Sequence, residues 1–225
     1  MDRKWLITGA SRGIGREFVQ QLRARGEQVL ATVRREEDAG PLREVGARVE
    51  LLDVTDDAAV TALAKQLESE PVDVLLNNAG VMGRSRSLDQ VELDDLGRCF
   101  EINAVAPLRV TRAFLPHLRR GSERLVLQMT SRMGSIEDNT SGGAYAYRSS
   151  KAALNMLNRS LSLDLAADDF RCVLLHPGWV RTDMGGSGAP LTVEDSVRGL
   201  LRVIDGLGPA DNGAFFDFQG ERIPW

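Results

Sequence analysis

One pattern constrains this chain more than any other: short apolar runs bounded by turn-forming residues alternate with longer stretches whose apolar residues recur at helical period. That alternation specifies parallel strands joined by crossover helices, since a parallel pair needs a connection of about a dozen residues and cannot close through a hairpin. Seven strands are expected, over 4–8, 28–33, 48–52, 72–76, 124–129, 171–175 and 213–217. Helices are expected over 13–25, 38–45, 56–68, 92–119, 145–166 and 193–204. Runs such as Val74-Leu75-Leu76 and Val173-Leu174-Leu175 are apolar on successive residues, which predicts a sheet covered on both faces. Gly26 and Gly46 follow the first two helices as closing residues, and Thr192 with Asp195 reads as a capping box for the last.

The fourth helix carries Pro107 and Pro116, each of which removes a backbone donor and crowds the turn before it. A bend near Asn103 is expected, with polar groups released there. The 225 residues contain no fixed repeat, low-complexity tract or linker-like stretch, so one α/β domain over 1–225 is expected.

Composition excludes several functions. A net charge of −4, with 43% apolar and 27% charged residues, describes a foldable chain without the basic footprint that nucleic acid demands. Residues 1–4 lead straight into the first strand, leaving no room for a secretion leader. No stretch approaches the roughly 18 apolar residues of a spanning helix, so a cytoplasmic protein without a transmembrane segment is expected. Cys99 and Cys172 have neither paired nor metal-ligand spacing; both read as reduced packing residues, and no metal site is expected.

The first strand runs into Thr8-Gly-Ala-Ser-Arg-Gly-Ile-Gly15, which opens the first helix. Glycines 9, 13 and 15 let backbone approach a pyrophosphate, and the N–H groups of the helix start face its charge. Gly9, Ser11, Arg12, Gly13, Ile14 and Gly15 are therefore candidate cofactor contacts. The setting predicts a single-domain Rossmann fold, a seven-stranded doubly wound parallel sheet flanked by helices. No Gly-Lys-Ser/Thr sequence accompanies the turn, which disfavours a P-loop nucleotidase. Arg34 and Arg35 stand after the second strand, where an acidic residue would bond the ribose of NAD and an arginine accommodates the 2′-phosphate of NADP. Arg12 could clamp the same phosphate from the other side. Taken alone each arginine reads as solvated surface; taken together they favour NADP(H) over NAD(H).

Tyr147-Arg-Ser-Ser-Lys151 places a phenol and an ammonium four residues apart on one helix face. A cation beside a phenol stabilises the phenolate and suits it to proton transfer. By spacing alone, however, such a pair is more often surface decoration.

The turn at 8–15, Asn77-Asn-Ala-Gly80, Asn103, Ser131, the Tyr147/Lys151 pair and Pro177-Gly178 together resemble the short-chain dehydrogenases/reductases, in order and setting, over nearly the whole chain. Four segments look like the branch of C-factor and the sniffer-like carbonyl reductases: Thr130-Ser-Arg-Met-Gly-Ser135, residues 144–156, residues 176–186 and Phe215-Phe-Asp-Phe-Gln-Gly220. The resemblance implies that Tyr147 is the general acid in carbonyl reduction, or the base in alcohol oxidation, and that Ser131 holds the substrate oxygen. Lys151 would bond the nicotinamide ribose and lower the pKa of Tyr147, and Asn103 would hold a water in a proton relay. Asp53 and Val54 would meet the adenine, Asn78, Ala79 and Gly80 the adenosine ribose, and Val180 and Thr182 the nicotinamide end.

Ser131 precedes Tyr147 by sixteen residues, slightly more than is usual in the family, and Thr130, Ser135, Thr140 and Ser141 lie nearby. Ser131 is chosen because it ends the fifth strand and stands three residues before Gly134. His176 reads as a near-core histidine, and His117 with Arg119 and Arg120 as cations at a helix end. Between Thr182 and Thr192, where family members usually carry a helical lid, few residues remain and three are glycines. The implied open cleft would admit bulky or lipid-derived carbonyls or alcohols, or would need a partner to cover it. Leu154, Leu157, Leu161 and Leu165 are at core spacing on a helix that related enzymes also use between subunits, so a homo-oligomer is expected. Against the hydride-transfer reading stand a C-factor-like signalling or dinucleotide-sensing protein with incidental turnover, and a module with no nucleotide.

Overall fold

The computed structural model describes residues 2–84 and 87–225; Met1 of the N-terminal run lies outside them. The strands are β1 (Lys4–Ile7), β2 (Gln28–Val33), β3 (Arg48–Leu51), β4 (Val74–Asn77), β5 (Leu125–Met129), β6 (Arg171–His176) and β7 (Phe215–Asp217). They form one sheet in the order β3-β2-β1-β4-β5-β6-β7, every pair parallel. This is the doubly wound Rossmann arrangement the alternation specified.

The helices are α1 (Gly13–Ala24), α2 (Gly40–Glu44), α3 (Asp57–Gln66), α4 (Leu93–Phe100), α5 (Ala106–Arg120), α6 (Tyr145–Asp164) and α7 (Val193–Asp205). Strand alternation decides which of them each residue meets. Trp5, Ile7, Val74 and Leu76 pack with Phe18 and Leu22 of α1 and Leu200 and Ile204 of α7. Their neighbours Leu6 and Leu75 turn to the opposite face, against Leu63 of α3 and Phe114 of α5. Leu154 of α6 joins Leu174 and Phe215 in a third cluster. Thr192 caps α7, its hydroxyl accepting from the Asp195 N–H at 3.0 Å.

Three local differences from the sequence reading have physical causes. The long fourth helix is two helices separated by a π-turn over Glu101–Val105, where the Ala106 N–H bonds the Glu101 carbonyl five residues back. In an uninterrupted α-helix the Asn103 carbonyl would need the N–H of residue 107, which is proline. The expected bend is therefore a widened turn centred on Asn103. The second helix is shorter than expected, a 3₁₀ turn over Glu36–Asp38 and then α2 with Pro41 in its first turn. His117 is no helix-end cation: it is buried, it donates Nε2–H to the Ala64 carbonyl at 3.0 Å, and burial together with Arg120 lowers its pKa.

Strand order reverses between β1 and β4, which opens a crevice at the carboxyl ends of the strands where α/β sheets bind ligands. No helix among the described residues is long and apolar enough to cross a membrane.

Candidate active site

The glycine turn after β1 is shaped by close approach. Gly9 adopts φ +66°, and a Cβ there would lie 2.7 Å from Ala79 Cα. A Cβ on Gly15 would lie 2.4 Å from the Asn78 amide nitrogen and 2.5 Å from the Gly9 carbonyl oxygen. Both glycines are thus required by space, and Gly9 also by conformation. The β4 end is tied to the same turn. Asn78 donates its side-chain N–H groups to the Thr8 and Gly9 carbonyls, both at 3.0 Å, and the Thr8 hydroxyl accepts from the N–H groups of Asn78 and Ala79 at 3.1 and 3.2 Å. The Asn78 amide is therefore spent on the turn itself, while Ala79 and Gly80 form the adjacent wall. A cradle that any Cβ would fill, at a helix start, fits a dinucleotide pyrophosphate.

At the ends of β2 and β3 the two arginines differ. Arg35 pairs with Glu37 at 2.9 Å and Asp38 at 3.3 Å, whereas Arg34 is exposed and has no ion-pair partner among the described residues. Asp53 accepts from the Thr55 N–H and hydroxyl, which lower its pKa, with a smaller contribution from the charge of Arg34. Val54 is buried beside it. Arg12 of the glycine turn pairs with Asp183 at 2.7 Å.

The remaining predicted residues gather across the crevice. Asn103, fully buried on the π-turn, grips the chain after β4: its Oδ1 accepts from the Val81 N–H at 2.8 Å and its amide donates to the Val81 carbonyl at 2.9 Å. The same amide donates to the Ser150 hydroxyl at 2.9 Å, and Ser150 donates to the Tyr147 carbonyl at 2.9 Å. The π-turn and α6 are thereby fixed to each other at the residue before Lys151. Lys151 reaches toward the same point, since a Cβ on Gly80 would lie 3.2 Å from Asn103 Oδ1 and 3.5 Å from Lys151 Nζ.

Ser131 follows β5, its hydroxyl accepts from the Met133 N–H at 3.2 Å, and it stands near enough to the Tyr147 phenol to favour the phenolate. Three of the four competing hydroxyls are engaged elsewhere: Thr130 donates to Asn155 Oδ1 at 2.7 Å, Ser135 accepts from the Asp138 N–H, and Ser141 accepts from Arg148. Electrostatics at the pair are set by burial. Burial pushes the Tyr147 phenol up to about 12, with Ser131 pulling the other way. Burial also brings the Lys151 ammonium down to about 8. Lys151 lies 5.9 Å from the centroid of the Tyr147 ring and donates to the Met129 carbonyl at 2.8 Å. The protein alone thus holds a protonated phenol beside a weakened ammonium.

Val180 and Thr182 follow β6. Val180 bridges Leu191, and Thr182 reaches the glycine turn, where a Cβ on Gly13 would meet its methyl at 3.3 Å. No helix forms between Thr182 and Thr192, and Trp179 is 61% exposed beside this loop. His176, pushed down to about 4 chiefly by burial, is neutral at physiological pH and plays no acid–base part.

The glycine cradle and the Ser131, Tyr147, Lys151 and Asn103 side chains thus gather at the carboxyl end of the sheet. The family model described as short chain dehydrogenase matches residues 3–190, and the chain belongs to that family. It acts on a carbonyl/alcohol pair. C-signal of Myxococcus xanthus is 60% identical over 164 residues, 73% of this chain and 99% of that protein. The NADPH-bound carbonyl reductase from chicken fatty liver superposes with a TM-score of 0.91 at 36% identity, covering 99% of both chains. Carbonyl reductase Sniffer of D. melanogaster gives 0.93 at 34% identity over the whole of both chains.

Thr8, Ser150 and Asp183 were not singled out by the sequence reading. Thr8 borders the glycine turn and Ser150 lies within the tyrosine–lysine motif, so local signals existed for both. Asp183 had none.

Proposed function

We propose that the protein is an NADP(H)-preferring carbonyl reductase in which Asn103, Ser131, Tyr147 and Lys151 form the catalytic group. The observation that carries this reading is the convergence of those four side chains opposite the glycine cradle. Bound NADPH supplies the hydride. Ser131 orients the carbonyl oxygen, and Tyr147, protonated throughout the physiological range, donates its proton to that oxygen. Lys151, charged below about pH 8, stabilises the phenolate that forms. Pro107 has no N–H to offer the Asn103 carbonyl, which leaves that oxygen as an acceptor for a proton-relay water.

NADP(H) preference is supported by Arg34, exposed after β2 with no ion-pair partner among the described residues, and by Arg12 in the turn. Titrating the protein with NADPH and with NADH by nicotinamide fluorescence tests it. Arg34→Asp should weaken NADPH about tenfold or more relative to NADH, since it replaces a phosphate-binding guanidinium by a repelling carboxylate. An unchanged ratio removes the assignment. The unlidded loop after β6 supports bulky carbonyls, lipid-derived ones included, as substrates, and the protein is read as a cytoplasmic homo-oligomer.

A second reading is favoured by the 60% identity to C-signal: a signalling or dinucleotide-sensing protein whose turnover is incidental. It predicts that NADPH binds while no ketone, quinone or lipid-derived carbonyl is reduced. Turnover of any of these at ordinary enzymatic rates, on the order of 1 per second or faster, favours the first reading.

A further inference from the structure

Arg12 stands in the glycine turn and Asp183 in the loop after β6, 171 residues apart, yet the Arg12 Nη1 donates to Asp183 Oδ2 at 2.7 Å. Both side chains are about three-quarters exposed, at 73% and 76%. The two segments are held in register by the residues next to each partner, Gly13 lying against the Thr182 methyl. The loop is also braced internally. The Arg181 N–H bonds the Leu191 carbonyl, the Arg181 guanidinium holds the Ala189 and Pro190 carbonyls, and the Gly186 N–H bonds Thr182. The ion pair therefore joins two shaped segments across the mouth of the crevice, one on the cofactor side and one on the substrate side.

Arg12 is also one of the two guanidinium groups available for a 2′-phosphate, so phosphate and Asp183 compete for it. A phosphate near two negative charges takes a guanidinium in a bidentate fork, whereas an exposed carboxylate pair is weak. The phosphate wins that competition, and a ribose 2′-hydroxyl does not enter it.

We propose that Asp183 is a specificity-determining residue for the cofactor: it holds Arg12 against the loop until a 2′-phosphate displaces it, so that NADPH, unlike NADH, frees the substrate-side loop from the glycine turn. The proposal rests on the NADP(H) reading above. Asp183 opposes NADPH binding in proportion to the strength of the pair and leaves NADH indifferent to Arg12.

The test is a double-mutant cycle of dissociation constants for NADPH and NADH, using wild type, Asp183→Asn, Arg12→Gln and the double variant. Both positions are exposed, and thermal unfolding of each variant checks that folding is unaltered. Asp183→Asn should tighten NADPH about two- to fivefold more than NADH, the range an exposed ion pair supports. In the Arg12→Gln background that difference should vanish, because only a general charge effect on the diphosphate remains and both cofactors share it. An Asp183→Asn variant that shifts both cofactors equally, or a difference that persists without Arg12, overturns the proposal while leaving the cofactor reading intact. Equal affinity of wild type for NADPH and NADH overturns the cofactor reading, and the proposal falls with it.

Discussion

The two ends of the crevice are built on different principles. At the nucleotide end the work is steric and complete in the protein alone: Gly9 and Gly15 admit no Cβ, and Asn78 and Thr8 tie the first turn to the end of β4 by four hydrogen bonds. At the catalytic end the positions are fixed by an equally dense network, through Asn103, Ser150 and Val81. The charges, however, are not poised: burial drives Tyr147 and Lys151 toward their neutral forms. Shape can be preorganised by backbone contact, whereas a buried cation waits for a ligand that restores its solvation.

The largest effect on cofactor binding should come from the steric end. Gly15→Ala places a methyl inside van der Waals distance of the Gly9 carbonyl, so the turn must open. Overpacking of this kind costs about 1–3 kcal/mol, and the upper value, expressed in the binding-competent turn, corresponds to roughly a hundredfold weaker NADPH. Calorimetric binding with parallel thermal melts measures both, and wild-type affinity in the variant would mean that the turn is not the cradle.

Next in size is the effect of pH on the catalytic end. Reduction should hold level at neutral pH and fall as pH rises through about 8, where Lys151 loses its proton, while Tyr147 stays protonated. The sign for stability is opposite. Between about 8 and the unfolded-state lysine value near 10.4 the unfolded chain carries a proton the folded one lacks, so Lys151 makes the fold more stable as pH rises. Denaturant melts of wild type against Lys151→Met across that window should show this slope in wild type only. Parallel slopes would mean that Lys151 is not desolvated.

The smallest effect is expected at Ser150. Ser150→Ala removes the link between Asn103 and the Tyr147 carbonyl and leaves a buried amide N–H short of a partner, at about 1–3 kcal/mol. As a positioning residue it should lower kcat several-fold, leave the NADPH dissociation constant unchanged and shift the pH limb of reduction. A stability loss without any movement of that limb would confine Ser150 to structure.

What could be read in the sequence follows the same division. The strand–glycine-turn–helix unit is a local signal, and it placed Gly9, Gly13 and Gly15 correctly in the fold. The bend at Asn103 was legible because Pro107 removes one particular hydrogen bond, although its form as a π-turn was not. The burial that makes His117 neutral was hidden, since Arg119 and Arg120 beside it gave the stretch a surface character. The pKa directions of Tyr147 and Lys151 follow from burial in the folded chain, which no four-residue spacing contains. The Arg12–Asp183 pair joins two loops with no shared periodicity, and only the folded sheet brings them together.

In the proposed reaction Tyr147 gives the proton and NADPH the hydride. The most direct measurement is the single-turnover oxidation of bound NADPH by a panel of ketones, quinones and lipid-derived carbonyls, in wild type and Tyr147→Phe. The variant should bind NADPH as wild type does and lose about 10²–10⁴ of the rate on every carbonyl that wild type reduces. A Tyr147→Phe enzyme that keeps the wild-type rate would contradict Tyr147 as the proton donor.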